Sequence, residues 1–201
     1  GTDTVRAYLM FLGPWDAGAP WNPHGIEGLA RFFKGVWKLC QMEAPETVSV
    51  KTETEKQLRK TLHQTIKKTR DDLQSFRFNT AIAAVMSFRN VLKAEAEASG
   101  SDVWKECIEG MLLMLAPIAP HITEELWQKI KPDSGSIHQQ AWPEYNEDLV
   151  AEDLVILVVQ VNGKVRDRLE MKAGTGKEAA EQSALAAPKV QTYIDGKQIL
   201  K

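Results

Sequence analysis

Residues 154–171, LVILVVQVNGKVRDRLEM, constrain the fold more than any other stretch of the chain. Residues 154–161 are an almost unbroken run of β-branched residues and leucine, the composition of a strand buried on both faces or central in a sheet. Asn162-Gly163 follows, the pair best suited to a type I′ turn, because both turn residues need positive φ. The next residues alternate. Val165, Leu169 and Met171 fall on one face, while Lys164, Arg166, Arg168 and Glu170 fall on the other. The expected hairpin therefore buries one face and presents three cations on the opposite one. It also divides the chain, because nearly everything before it reads as helix.

The spacing of apolar residues predicts a short helix over 4–12, stopped by Gly13-Pro14, then a loop over 14–25. Trp15 and Trp21 are expected to pin that loop through buried ring area. Asn22 suits an N-cap, with Pro23 at the first helical position. Ile26, Leu29, Ala30, Phe33, Val36, Trp37 and Cys40 then mark the clearest amphipathic helix. Residues 43–52 read as a polar linker. A helix over 56–73 carries Leu58, Leu62, Ile66 and Leu73 on its apolar stripe. A long helix over 80–98, capped by Asn79 and ended by Ser99-Gly100, follows. The helix over 103–116 is apolar over much of its surface and should be central. After the prolines of APIAPH, helix resumes over 121–130.

These elements give a mainly α fold: an antiparallel helical bundle over 1–133, a connector over 134–153, and a small α+β domain with a β-hairpin over 154–201. The connector holds WPEYNEDLVAED, with five acids and no base, and Trp142 and Tyr145 are expected to anchor it. Beyond the hairpin, residues 177–187 and 188–194 read as short helices and 198–201 as the start of a strand. A domain ending one strand into its sheet is expected to be incomplete.

Net charge is −2, so any polyanion-binding signal must be local. Lys56, Arg59, Lys60, His63, Lys67 and Arg70 recur at three- and four-residue steps on one face of the 56–73 helix. Residues 51–70 hold seven Lys/Arg against two Asp/Glu. A solvated face and a phosphate-contacting face are the two readings; the scarcity of acids to supply i, i+4 partners supports the second. Cys40 and Cys107 lie apart on helical patterns, with no CxxC pair and no Cys/His cluster, so a zinc site is not expected and reduced core thiols are. His121 stands alone and reads as a core or capping histidine. No apolar run approaches the ~18 residues of a membrane span, and the N-terminus carries no signal pattern; a cytoplasmic protein is the expectation.

Catalytic constellations are missing from the sequence. There is no GxSxG motif, and Gly174-Thr175-Gly176-Lys177 lacks the first half of a P-loop. Asp71-Asp72 and Glu124-Glu125 are adjacent on helices, about 100° apart, and cannot flank one substrate. A helical bundle with a basic stripe joined to a basic hairpin is the profile of a polyanion-binding module. A protein-interaction module without RNA binding is the alternative.

TDTVRAYLMFLGPW, GIEGLARFFKGVWKL, LHQTIKKTRDDLQSFRFNTAIAAVM, LLMLAPIAPHITEELW, SIHQQAWPEY and VQVNGKVRDRLEM occur in this order across almost the whole chain. Together they resemble the bacterial leucyl-tRNA synthetases. RFNTAI and LAPxAPHxxEELW are shared loosely by related class I synthetases, and VQVNGKxRxR after the bundle is the specific part. The resemblance implies an anticodon-binding-type bundle and part of the C-terminal domain, with tRNA(Leu) as partner. The parent enzyme would esterify leucine onto that tRNA at the expense of ATP, with Mg. HIGH and KMSKS, the family's ATP-site motifs, are absent here, as is the editing domain. The chain is therefore expected to be a monomeric, non-catalytic piece, inactive alone, holding no cofactor and working with the catalytic and editing domains of its parent. His63, Lys67 and Lys68 fall within the family's HxTIKK run, and Lys164, Arg166 and Arg168 within VNGKxRxR. Lys56, Arg59, Lys60 and Arg70 are placed by periodicity alone. Arg77 either meets RNA or braces the bundle at a helix terminus.

Overall fold

The computed structural model describes residues 1–18, 20–22, 24–45, 48, 50–151, 154–172 and 175–195. The chain divides into two compact units, Gly1–Val150 and Ala151–Lys201.

The first unit is the helical bundle. Its helices are α1 (Thr2–Phe11), α2 (Ile26–Cys40), α3 (Thr52–Gln74), α4 (Phe78–Ala94), α5 (Asp102–Leu115), α6 (Pro120–Ile130) and the single turn α7 (Glu147–Val150). Helix α3 packs on α4 and α5, α1 on α2 and α4, and α6 on α5 and α2. The apolar stripes read from the sequence are the ones buried. Leu58, Leu62 and Ile66 of α3 meet Val85, Phe88 and Leu92 of α4 and Met111, Leu112 and Leu115 of α5 in one core. Each such side chain contributes about 1.5–3 kcal/mol by leaving water. Helix α5 buries nine of its fourteen residues, as its all-round apolarity demands. Both thiols are free, and burial pushes each up to about 12, which leaves them unreactive core groups.

Several helix ends differ from the sequence reading. Helix α2 starts at Ile26 with Gly25 before it. Asn22 instead caps a turn, its Oδ1 accepting from the His24 N–H at 3.0 Å. Pro23 lies outside the described residues. Asn79 is inside α4, whose N-cap position is Arg77. The loop tryptophans are not buried: Trp15 is 58% and Trp21 55% exposed. Tyr8 holds that loop, its hydroxyl donating to the Asn22 carbonyl at 2.6 Å and accepting from the Asn22 N–H at 3.0 Å. Gly25 makes room for the ring, since a Cβ there would stand 2.8 Å from the Tyr8 ring edge.

Asp3, nearly buried, reaches the first turn of α6. It accepts from the Ile122 N–H at 2.7 Å and meets His121 Nδ1 at 2.7 Å. His121 thus has a carboxylate partner, supplied from 118 residues away. Residues 134–150 lie along the bundle rather than free of it. Ile137 is in the core, Trp142 and Tyr145 pack against it, and α7 contacts α3. Glu124 fixes this path by accepting from Ser136 Oγ and the Ile137 N–H; the Ser136 bond above all holds its carboxyl below the ordinary range.

In the second unit β1 (Leu154–Val161) pairs antiparallel with β2 (Lys164–Lys172), and α8 (Lys177–Ala186) and α9 (Pro188–Ile194) follow. Asn162 and Gly163 both have positive φ, +54° and +74°, as the type I′ turn requires. The strand β1 is not buried on both faces: Ile156 is 64% and Val158 47% exposed. Helix α9 covers only the other face, through Val190. The expected strand over 198–201 lies outside the described residues.

Candidate nucleic-acid interface

Helix α3 buries one stripe and carries its cations on an adjacent side, but that side is not bare. Arg59 Nε donates to Glu106 Oε2 of α5 at 3.1 Å. His63 Nδ1 accepts from the Asn146 N–H at 3.2 Å, and its Nε2 lies 3.8 Å from Glu106. Burial lowers the His63 pKa, the Glu106 charge opposes that, and Arg59 reinforces it; the ring is held toward its neutral form. Lys67 Nζ sits 4.9 Å above the Tyr145 ring, 3.4 Å from its hydroxyl and 3.6 Å from Glu147. The Tyr145 hydrogen bond raises the Lys67 pKa, so the ammonium persists. Lys60 is half-buried and not free.

The acids that the local spacing of α3 does not supply therefore come from elsewhere: Glu106 from α5 and Glu147 from α7. Counting i, i+4 partners along one helix cannot see them, which is why the stripe looks more unpaired in the sequence than it is in the fold. Lys56 and Arg70 remain exposed at the two ends of the stripe. Arg70 approaches the Tyr145 ring at 6.0 Å and borders a pocket of about 410 Å³ with Leu73, Gln74, Trp142 and Pro143. Fourteen residues of α-helix separate Lys56 from Arg70 by roughly 21 Å on nearly the same face.

At the end of α3, Asp72 is fully buried and binds two cations, Lys68 and Arg77, the latter at 3.0 Å through Nε. Burial would push the Asp72 carboxyl up, but hydrogen bonds from Lys68, Thr80 and Arg77 outweigh it and hold it below the ordinary carboxylate range. Arg77 thus braces the α3–α4 corner, while its side chain stays 58% exposed.

The hairpin cations do not share a face. Val159 pairs with Asp167 and Gln160 with Val165, so Arg166 is an extra residue in a β-bulge. The bulge reverses the alternation. Arg168, opposite Val158, lies on the exposed face, whereas Lys164, opposite Val161, lies on the side of Leu157 and Leu169. Arg166 turns toward α9, with its guanidinium 4.0 Å from the Tyr193 ring centroid and its Nε buried without a hydrogen-bond partner. Val165, expected on the buried face, is 51% exposed for the same reason. Nothing in the alternation of KVRDRLEM marks the bulge.

Among the described residues no cluster of His, Cys, Asp and Glu could hold a metal ion, and no helix is long and apolar enough to cross a membrane. The arrangement offers fixed surface cations and exposed rings rather than an acid–base or nucleophilic set.

Residues 55–181, which include all but the first three residues of α3 and the whole hairpin, match the family described as the anticodon-binding domain of tRNA ligase. The leucine–tRNA ligase of Dehalococcoides mccartyi strain 195 is 46% identical over 200 residues, 98% of this chain and 24% of that one. That of Herpetosiphon aurantiacus is 43% identical over 203 residues, covering all of this chain and 25% of its own. The chain thus spans about a quarter of the length of the curated relatives it matches. Among solved structures, a crystal structure of a ternary complex of Agrobacterium radiobacter K84 agnB2 LeuRS with tRNA and LeuAMS covers the whole chain and 27% of its own. Its TM-score is 0.75 at 26% identity.

Proposed function

The chain belongs to the anticodon-binding domain family of tRNA ligases, and from that premise we propose that it is the tRNA-holding, non-catalytic part of a leucine–tRNA ligase. The observation that carries this reading is the overlap of the family match over residues 55–181 with both sets of surface cations. The relatives' similarity over essentially the whole chain narrows the ligase to the leucine-specific kind.

On this reading the bundle grips the RNA body through its phosphates. Lys56 and Arg70 mark the two ends of the contact, and Arg59, Lys60, His63, Lys67 and Lys68 lie between them. Several of these are oriented by Glu106, Glu147, Tyr145 and Asp72, which preset the cations before RNA arrives. Fixing a long side chain in advance lowers the entropy lost on binding. Arg168 serves the contact on the hairpin's exposed face, Lys164 extends it at the turn from the other face, and Arg166 is held toward α9. RNA of this kind is recognised through phosphates, 2′-hydroxyls and shape. The partner is tRNA(Leu). ATP, Mg and the ligation chemistry belong to the catalytic domain of the parent, which acts in the cytoplasm as a monomer.

The test is a titration of this chain with a leucine-accepting tRNA transcript at several salt concentrations. A steep loss of affinity with salt supports the reading, and salt-insensitive or undetectable binding overturns it.

A further inference from the structure

Helix α3 closes with the Phe76 N–H donating to the Leu73 carbonyl at 3.1 Å and the Arg77 N–H donating to the Asp72 carbonyl at 2.8 Å. This double closure places Phe76 in the left-handed region, with φ +56°, at the seat that glycine or asparagine usually fills. A bulky residue is strained there. Burial does not compensate for the strain, because Phe76 is 67% exposed. Its ring stands edge-on to Phe78 at 5.7 Å, and Phe78 tilts against Trp15 at 4.9 Å. Three rings are therefore contiguous at the α3–α4 corner, and two of them are mostly in water.

We propose that Trp15, Phe76 and Phe78 form a stacking platform for unpaired bases of the bound RNA. This deepens the tRNA reading and rests on it. Flat exposed rings beside fixed cations are the combination by which single-stranded nucleic acid is held: bases stack on the rings while phosphates meet the charges. Arg77 and Lys68 supply those charges. Their side chains are 58% and 53% exposed, and both are anchored on the one buried carboxylate of Asp72, so the group stays net positive. The centre of a protein–protein contact, by contrast, is depleted in charge.

The experiment compares the full chain with its Phe76→Gly and Trp15→Ala variants, titrated with an unmodified leucine-accepting tRNA transcript over a range of salt. Glycine suits the backbone at position 76, so Phe76→Gly should melt at or above the wild-type temperature. Each variant should bind about tenfold more weakly with an unchanged slope of log affinity against log salt, because a lost stack releases no counterions. Wild-type affinity in both variants overturns the platform and leaves the rings to a protein contact. A loss accompanied by a smaller salt slope also overturns it, because a charge and not a stack has then been removed. Failure of the wild-type chain itself to bind the transcript overturns the tRNA reading, and with it the platform.

Discussion

The backbone N–H of Asn146 donates to His63 Nδ1 at 3.2 Å, joining residues 83 positions apart and tying the chain ahead of α7 onto α3. The bond needs Nδ1 unprotonated. His63 has a folded-state pKa below the 6.5 of free histidine, chiefly through burial. The unfolded chain therefore binds this proton more readily than the folded one. The contribution is complete above about pH 6.5 and is lost as pH falls through the folded-state value. A two-dimensional NMR titration should place the His63 midpoint below the 6.5 of free histidine. His63→Gln should flatten the fall in melting temperature between pH 7 and pH 5.

Asp72 sets a second pH dependence at the other end of α3. Its folded-state pKa is depressed, so its stabilisation is present above about pH 4 and disappears as pH falls through the folded-state value. Asp72→Asn keeps the shape and removes the charge that holds Lys68 and Arg77. It should cost about 2 kcal/mol in denaturant unfolding at pH 7, and that penalty should shrink as pH falls below about 4.

Gly110 on α5 sits at a close approach of α5 to α3. A Cβ added there would stand 2.7 Å from Leu62 Cδ1 of α3, and Leu62 is 2% exposed. Gly110→Ala should therefore destabilise by about 1–3 kcal/mol through overpacking, despite the better helix propensity of alanine. Chemical denaturation measures it, and an Ala variant as stable as wild type contradicts the close α3–α5 contact.

The bulge gives the hairpin arginines opposite roles. Arg166→Ala should lower the melting temperature by loosening the Tyr193 stack, at a cost of about 1 kcal/mol. Arg168→Glu should leave the melting temperature unchanged and weaken tRNA binding. Equal behaviour of the two variants in both measurements contradicts this division.

The helices and their buried faces were legible because 3.6-residue periodicity is a local property, and Leu58, Leu62 and Ile66 obey it. The fate of the α3 cations was not, because Glu106 and Glu147 reach them only through the fold. The hairpin turn could be read from Asn162-Gly163, whereas the bulge at Arg166 has no sequence mark and reversed the faces of Lys164 and Val165. Tyr145 was visible as an anchor, but its place beneath the Lys67 ammonium was not. The seat of Phe76 was not legible, because an exposed ring in the left-handed region breaks the rules by which turn residues are recognised.

The central claim is that the exposed cations of α3 hold tRNA by its phosphates, and the double variant Lys56→Glu/Arg70→Glu tests it most directly. Both residues are exposed ends of the stripe, so the fold should survive with an unchanged melting temperature. Affinity for a leucine-accepting tRNA transcript should fall at least tenfold, and the slope of log affinity against log salt should shrink by about 1–2. Unchanged affinity and an unchanged slope would contradict the claim.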